Sequence, residues 1–436
     1  MKNTMIAIAV LWAGSVLAAP SVSSVAMSQS AAGGPVTVTY ALSGGPAVVT
    51  FDVTTNGVSI GGRHLTRTMG DVNRLVTGTS CSFKFWPGEA WQKTFSNPAG
   101  LNAKAVVTAW ATNAPPPYMA VSLAVATSQP RFYPDADQVP GGVSSPIYKT
   151  DTLLMRRIPA AGVQWRMGSP SGEKGRTYND WGPGREVPHY VTLANDYYIG
   201  VYELTQAQYR QFAYTASYPN PSSFRDYDDS ALRPLENLSY AQMRGSFSGS
   251  MIWPNDGHAV ATYCPIYKLR TSTGGIEFDL PTDAQWEFAC RAGSGAALSS
   301  GEELEAYDMQ WNYYNGYSYS LDRLGWYNKN SDGATHVVGL KEPNAFGLYD
   351  MHGNVAEFSL DAWADVTSAD GWPYALETTE PIGPASAGYS TSRVARSGSY
   401  NDVCQYSRSA FRISRNWNDP YPGTGYRFVC PAVAMR

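Results

Sequence analysis

Four proline steps lie between residues 126 and 149, Gln129-Pro130, Tyr133-Pro134, Val139-Pro140 and Ser145-Pro146, and they hold the backbone extended and non-helical. The stretch reads as a linker, and the sequence on its two sides follows different rules. From Val22 to about Val125, β-branched and aromatic residues alternate at period two in short runs. Examples are Val36-Thr37-Val38-Thr39-Tyr40, Ala47 to Val53, Cys81 to Trp86 and Ala105 to Trp110. Turns rich in Gly, Asn and Pro separate the runs, which predicts an all-β sandwich of immunoglobulin or fibronectin type over 22–125. Cys81 has no second cysteine in this half, so it is expected as a small apolar residue of the sandwich core. No catalytic cluster occurs there, and the half reads as a spacer or adhesive module.

A chain of 436 residues exceeds one ordinary domain, and 43% hydrophobic against 16% charged residues gives it ample surface to bury. Its 41 Gly and 29 Pro, with 29 Tyr and 13 Trp, favour turns, loops and pleated surfaces over long helices. The net charge of -4, without a basic cluster interleaved with aromatics, excludes nucleic acid as the expected partner.

Lys2, the apolar run Met5 to Leu17 and the small residues Ala18 and Ala19 have the form of a secretory signal over 1–19. The run is 13 residues long, short of the roughly 20 needed to span a bilayer. No later stretch is apolar enough to do so, so no membrane span is expected after cleavage. The mature chain is expected outside the cytoplasm, whether secreted, periplasmic or on the cell surface. There disulfides persist, and five cysteines leave at least one unpaired.

The second half, 150–436, has few helical signals. Thr205 can cap a helix that places Tyr209 and Phe212 on one face, and Thr282 can cap another with Trp286, Ala289 and Cys290 facing inward. Cys264 lies on an apparent helix before Leu280 and is expected as a core thiol. The remainder reads as loops and short strands, and a loop-dense domain needs metal, disulfides or comparable ties to order its backbone.

Several short strings occur in this half in a fixed order. They are Met167-Gly168-Ser169, Tyr202-Glu203-Leu204-Thr205, Arg233 to Tyr240, Leu280-Pro281-Thr282 with Trp286-Glu287, Asn344 to Phe358, Arg393 to Tyr400, and Gly425 to Cys430. Together they resemble the sulfatase-modifying factor, or formylglycine-generating enzyme, family from about Leu153 to Cys430. The resemblance implies an α+β domain with an atypical, loop-rich C-type-lectin-like fold. It also implies a structural calcium ion held by the Asp350 carboxylate, the Gly353 and Val355 carbonyls and the Glu357 carboxylate. Two hard carboxylates seven residues apart, with glycine between them, suit such an ion. The alternative is that both acids cap turns and pair with arginines. A disulfide between Cys290 and Cys430 is implied as well, with Cys430 two residues later in its strand than the family pattern.

The family's oxidase uses two cysteines five positions apart as thiolates for copper(I), and this chain departs from that pattern. Counting forward from Ser399-Tyr400, the two positions fall on Asp402 and Ser407; counting back from Arg412, the second falls on Cys404. Neither alignment gives a pair, which argues against copper. Cys404 is a candidate nucleophile if Arg396, Arg408 or Arg412 depresses its pKa, and otherwise an ordinary loop thiol or a disulfide partner. The histidines occur singly, and His352 reads as a surface residue. Asn416, Trp417, Asn418, Tyr421 and Tyr426 are the candidate lining of a ligand cleft. These residues point to an exported, calcium-stabilised binding module for a protein, peptide or glycan. The alternative is an enzyme that oxidises a substrate cysteine to formylglycine, or another reaction on the same scaffold.

Overall fold

The computed structural model describes residues 19–432 apart from 32, 63–64, 66, 88–101, 128, 177–185, 214–218, 246–259, 306–315, 364–376 and 380–391. Apart from Ala19, the expected signal sequence lies outside the described residues. Helices and strands mix throughout in an α+β architecture, and no helix among the described residues is long and apolar enough to cross a membrane.

The first strands are β1 (Ser21–Gln29), β2 (Val36–Ser43), β3 (Ala47–Thr55), β4 (Val58–Ser59), β5 (Thr68–Gly70), β6 (Arg74–Val76), β7 (Ser80–Phe85) and β8 (Ala103–Ala111). One sheet runs β1-β2-β7-β5, and a second runs β4-β3-β6 with β8 also paired to β3. The alternation of the sequence sets which side chains meet between the sheets. Val36, Val38, Tyr40 and Leu42 of β2 and Cys81, Phe83 and Phe85 of β7 share one core with Ala47, Val49, Phe51 and Val53 of β3. Phe51 and Phe83 pack with ring centroids 4.6 Å apart. Cys81 is buried there, as its setting predicts.

The second unit begins earlier than the proline steps suggest. Strand β9 (Tyr118–Ser122), expected within the sandwich, and β10 (Arg131–Tyr133), expected within the linker, join β11 (Thr152–Ile158) in a different sheet. Its order is β10-β9-β11-β14-β20, where β14 is Tyr197–Gly200 and β20 is Val429–Pro431. The physical reason is burial. Tyr118 to Val121 form a continuous apolar run of the kind that sits inside a sheet, while Pro130 and Pro134 flank β10 at its edge and cost no ladder bond. Residues 135–149 are likewise packed: Asp135 caps the turn Ala136–Gln138, and the Tyr148 hydroxyl donates to Pro140 O at 2.9 Å.

Two further sheets complete the unit. Strands β12 (Val163–Met167), β13 (His189–Leu193) and β16 (Glu377–Thr379) form one. Strands β15 (Ala356–Ala362), β17 (Ser392–Arg396), β18 (Arg412–Asn416) and β19 (Thr424–Gly425) form the other, in the order β18-β17-β15-β19. The helices are α1 (Gln206–Phe212), α2 (Tyr240–Arg244), α3 (Pro265–Ser272), α4 (Asp283–Arg291) and α5 (Tyr319–Leu324). Thr205 and Thr282 cap α1 and α4 through complete capping boxes, with Gln208 and Gln285 reaching back. Cys264 caps α3 and is buried, and Trp286, Ala289 and Cys290 of α4 are fully buried, as the sequence predicts. Val48, on the outer face of β3, belongs to this second core, with Leu75 and Trp110 packed against it. The Phe132 amide donates to Asn73 O at 2.9 Å across the same junction.

Candidate functional site

Buried arginine and carboxylate pairs order the loops that carry the family's motifs. Arg396 binds Asp283 and, at 2.7 Å, Glu287 of α4. Arg412 binds Asp283 at 2.6 Å, and Arg408 binds Glu173 at 2.6 Å and Glu186 at 2.8 Å. Breaking any one of these buried pairs would strand a charge.

The turn from Asp350 to Glu357 is held by its backbone. Asp350 and Asn354 have φ of 58° and 65°, and a side chain at Gly353 would meet Trp326 O at 2.2 Å, so only glycine fits there. Asp350 Oδ2 accepts from the Gly339 amide at 2.6 Å, while its buried Oδ1 has no hydrogen-bond partner. Burial pushes the Asp350 carboxyl up to about 6. Glu203, between β14 and α1, accepts from Asn354 Nδ2 at 2.7 Å and the Val355 amide at 3.1 Å. Burial first, then the charges of Asp350 and Glu357, hold its carboxyl well above the usual range. Glu357 is committed elsewhere. It accepts from Arg427 Nη2 at 2.8 Å and Nε at 3.0 Å and from Trp286 Nε1 at 2.6 Å.

The expected calcium donors therefore do not fit as a set. Asp350 has an oxygen to offer, and Gly353 and Val355 sit in the turn, but both oxygens of Glu357 are taken by Arg427 and Trp286. Among the described residues no three His, Cys, Asp or Glu side chains are placed to hold a metal.

The segment that carries the cysteines in the family looks different here. The Ser399 amide and hydroxyl both donate to Asp402 Oδ2, at 2.8 and 2.6 Å. Cys404 is fully buried with Ala297, Leu298, Leu304, Leu321, Leu324 and Tyr327. Burial pushes its thiol up to about 12, and the three arginines near it in sequence are spent on the carboxylates above. The environment is that of a core thiol.

Three other expectations change. The Cys290–Cys430 bridge is absent, and none of the five cysteines is in a disulfide. Cys290 Sγ donates to Met351 O at 3.5 Å, whereas the register of β20 places Cys430 opposite Tyr198. His352 is an interior residue: the Ser299 amide donates to Nε2 at 3.0 Å, so Nδ1 carries the proton and donates to Ser407 O at 2.8 Å. Burial lowers its pKa to about 4. Of the candidate cleft residues, Tyr426 lies in the core, with its hydroxyl donating to Leu238 O at 2.7 Å. Asn416, Trp417, Asn418 and Tyr421 do share one turn, in which the Tyr421 hydroxyl accepts from the Asn416 amide at 3.0 Å and Asn418 is exposed.

Glu236 is not among the site residues that the sequence predicts. It is fully buried, its Oε1 accepts from Ser222 Oγ at 2.5 Å and the Ser223 amide at 2.7 Å, and its Oε2 has no partner. Burial pushes the carboxyl up to about 7, and burial, followed by the charge of Glu236, raises the nearby Tyr400 phenol. A lone acid between Leu235 and Leu238 was the available signal.

A loop-dense α+β domain tied by buried ion pairs, with an Asp350 to Glu357 turn packed on a buried Arg427, is the class these features define. The sulfatase-modifying factor enzyme 1-like domain matches residues 161–432, and the chain belongs to that family. The formylglycine-generating enzyme of Mus musculus is 31% identical over 155 residues, covering 34% of this chain and 38% of the mouse protein. The enzyme of Streptomyces coelicolor is 31% identical over 156 residues, covering 34% and 45%. The match thus spans less than half the length of these curated relatives. A further mouse relative, inactive C-alpha-formylglycine-generating enzyme 2, is 24% identical over 227 residues, covering 48% of this chain and 69% of its own. The solved structure of PvdO from Pseudomonas aeruginosa aligns with a TM-score of 0.47 at 22% identity, covering 64% of this chain and 94% of that one.

Proposed function

We propose that this chain is an exported, non-catalytic binding protein: an immunoglobulin-like sandwich joined to a C-type-lectin-like domain that keeps the family scaffold without its cysteine chemistry. The observation that carries this reading is Cys404. It is the one cysteine of the segment 399–412, it is enclosed by aliphatic side chains and the Tyr327 ring, and its thiol is pushed up to about 12. A thiolate that binds copper(I) needs a partner thiol and a depressed pKa, and both are missing. A mouse relative named as inactive is consistent with a family scaffold that outlives the activity. The partner in this reading is a protein, peptide or glycan outside the cytoplasm, met by the turn bearing Asn416, Trp417, Asn418 and Tyr421.

The direct test incubates the purified chain with copper(I), oxygen, a reductant and a peptide bearing a sulfatase-type cysteine motif, followed by mass spectrometry. The expected product is unchanged peptide. Conversion of the cysteine to the aldehyde would overturn the reading.

A further inference from the structure

Lys149 lies before the residues matched to the family, at the end of the turn Pro146–Lys149, and is 7% exposed. Its Nζ donates to Val338 O at 2.7 Å. The N–H of that same peptide unit, on Gly339, donates to Asp350 Oδ2 at 2.6 Å. One peptide group is therefore held with an ammonium at its oxygen and a carboxylate at its N–H, the orientation in which its dipole stabilises both charges. Gly339 has φ +71°, and a Cβ there would meet the Tyr202 ring at 2.3 Å and Lys149 Nζ at 3.3 Å, so glycine is what lets the peptide pass between them. The Tyr202 ring lies 4.9 Å from the ammonium and stacks on Tyr349 at 5.1 Å.

A second cation closes the other end of the turn. Arg427 Nη2 donates both to Glu357 and to Tyr349 O at 2.8 Å, while Nη1 donates to Gly200 O at 2.9 Å and Val201 O at 3.1 Å. All of its nitrogens are engaged.

We infer that Lys149 and Arg427 are the resident cations of the Asp350 to Glu357 turn, one at each end, and that the turn is held without calcium, at the Asp350 end by a clamp from the segment preceding the family domain and at the Glu357 end by an arginine of the domain itself. A divalent ion using Glu357 would have to draw it from Arg427 and leave a fully buried guanidinium with carbonyl partners but without its carboxylate, which is strongly unfavourable. The clamp is a property of this chain's own extension, independent of whether the domain binds or catalyses.

Thermal melting of the full chain in EGTA and in calcium chloride, with metal analysis after desalting, tests the inference. The expected result is the same Tm in both and no stoichiometric calcium. A resident calcium ion would stabilise the folded state by mass action and raise Tm by several degrees; that shift, or one calcium per chain, overturns it. Lys149→Met keeps most of the length without the charge and is expected to lower Tm by several degrees, with Lys149→Arg losing less. Melting of Lys149→Met at the wild-type temperature would also overturn the clamp, and if that variant does not fold, the calcium comparison on the natural chain decides.

Discussion

Glu236 shows what a single buried carboxyl does to stability. Its folded pKa of about 7 lies above the ordinary carboxyl value of 4.5, so between these values the folded state keeps a proton that the unfolded chain releases. The stability tied to that proton is fully present below the unfolded value and is lost as pH rises through about 7. Glu236→Gln cannot ionise. Its stability relative to the natural chain should rise by up to about 3 kcal/mol between about pH 5 and about pH 8, read from urea midpoints. A difference that stays constant over that range would contradict the assignment. Glu203 and Asp350 are raised in the same direction, and taking the difference between variant and natural chain isolates Glu236. The interior role of Cys81 could be read from its period-two alternation with Phe83 and Phe85, and that of Cys264 from its place on an apparent helix. Those of Cys404 and His352 could not, because the groups that bury them, Leu304, Leu321, Leu324 and Tyr327 for the one and Ser299 and Ser407 for the other, are distant in sequence.

Helices are where the sequence speaks most directly, because a cap and its partner lie three residues apart. Both expected caps, Thr205 and Thr282, form as complete boxes. Helix α4 is the more consequential, since Asp283 and Glu287 in its first two turns anchor Arg396 and Arg412. Thr282→Ala should cost about 1–2 kcal/mol, at the upper end for a cap because the helix end is buried. Chemical denaturation would measure it, and a loss below a few tenths of a kcal/mol would mean that tertiary contacts alone hold the helix start. Strands were less legible. β9 has no alternation because it is buried on both sides, and the prolines around β10 mask an edge strand as a linker.

At the scale of the whole molecule, the sheet β10-β9-β11-β14-β20 sets the boundary of the second unit before residue 118. A chain beginning at residue 150 would lack β9 and β10, leave the edge of β11 unpaired and uncover Leu153, Met155 and Tyr198, whose ring packs on Phe132. It is expected to aggregate, whereas a chain beginning at residue 113 is expected to stay soluble and melt cooperatively. Cooperative melting of the shorter chain would show that β9 and β10 are dispensable. By itself the sequence determined the two kinds of half, the helix caps and the family scaffold, because each rests on neighbours within a few residues. Only the tertiary structure decided which charges meet. Glu357 finds Arg427 70 residues away, Lys149 reaches Val338 189 residues away, and Asp283 takes Arg396 113 residues away. The value of a buried charge depends on what folds over it, and no local pattern of residues records that.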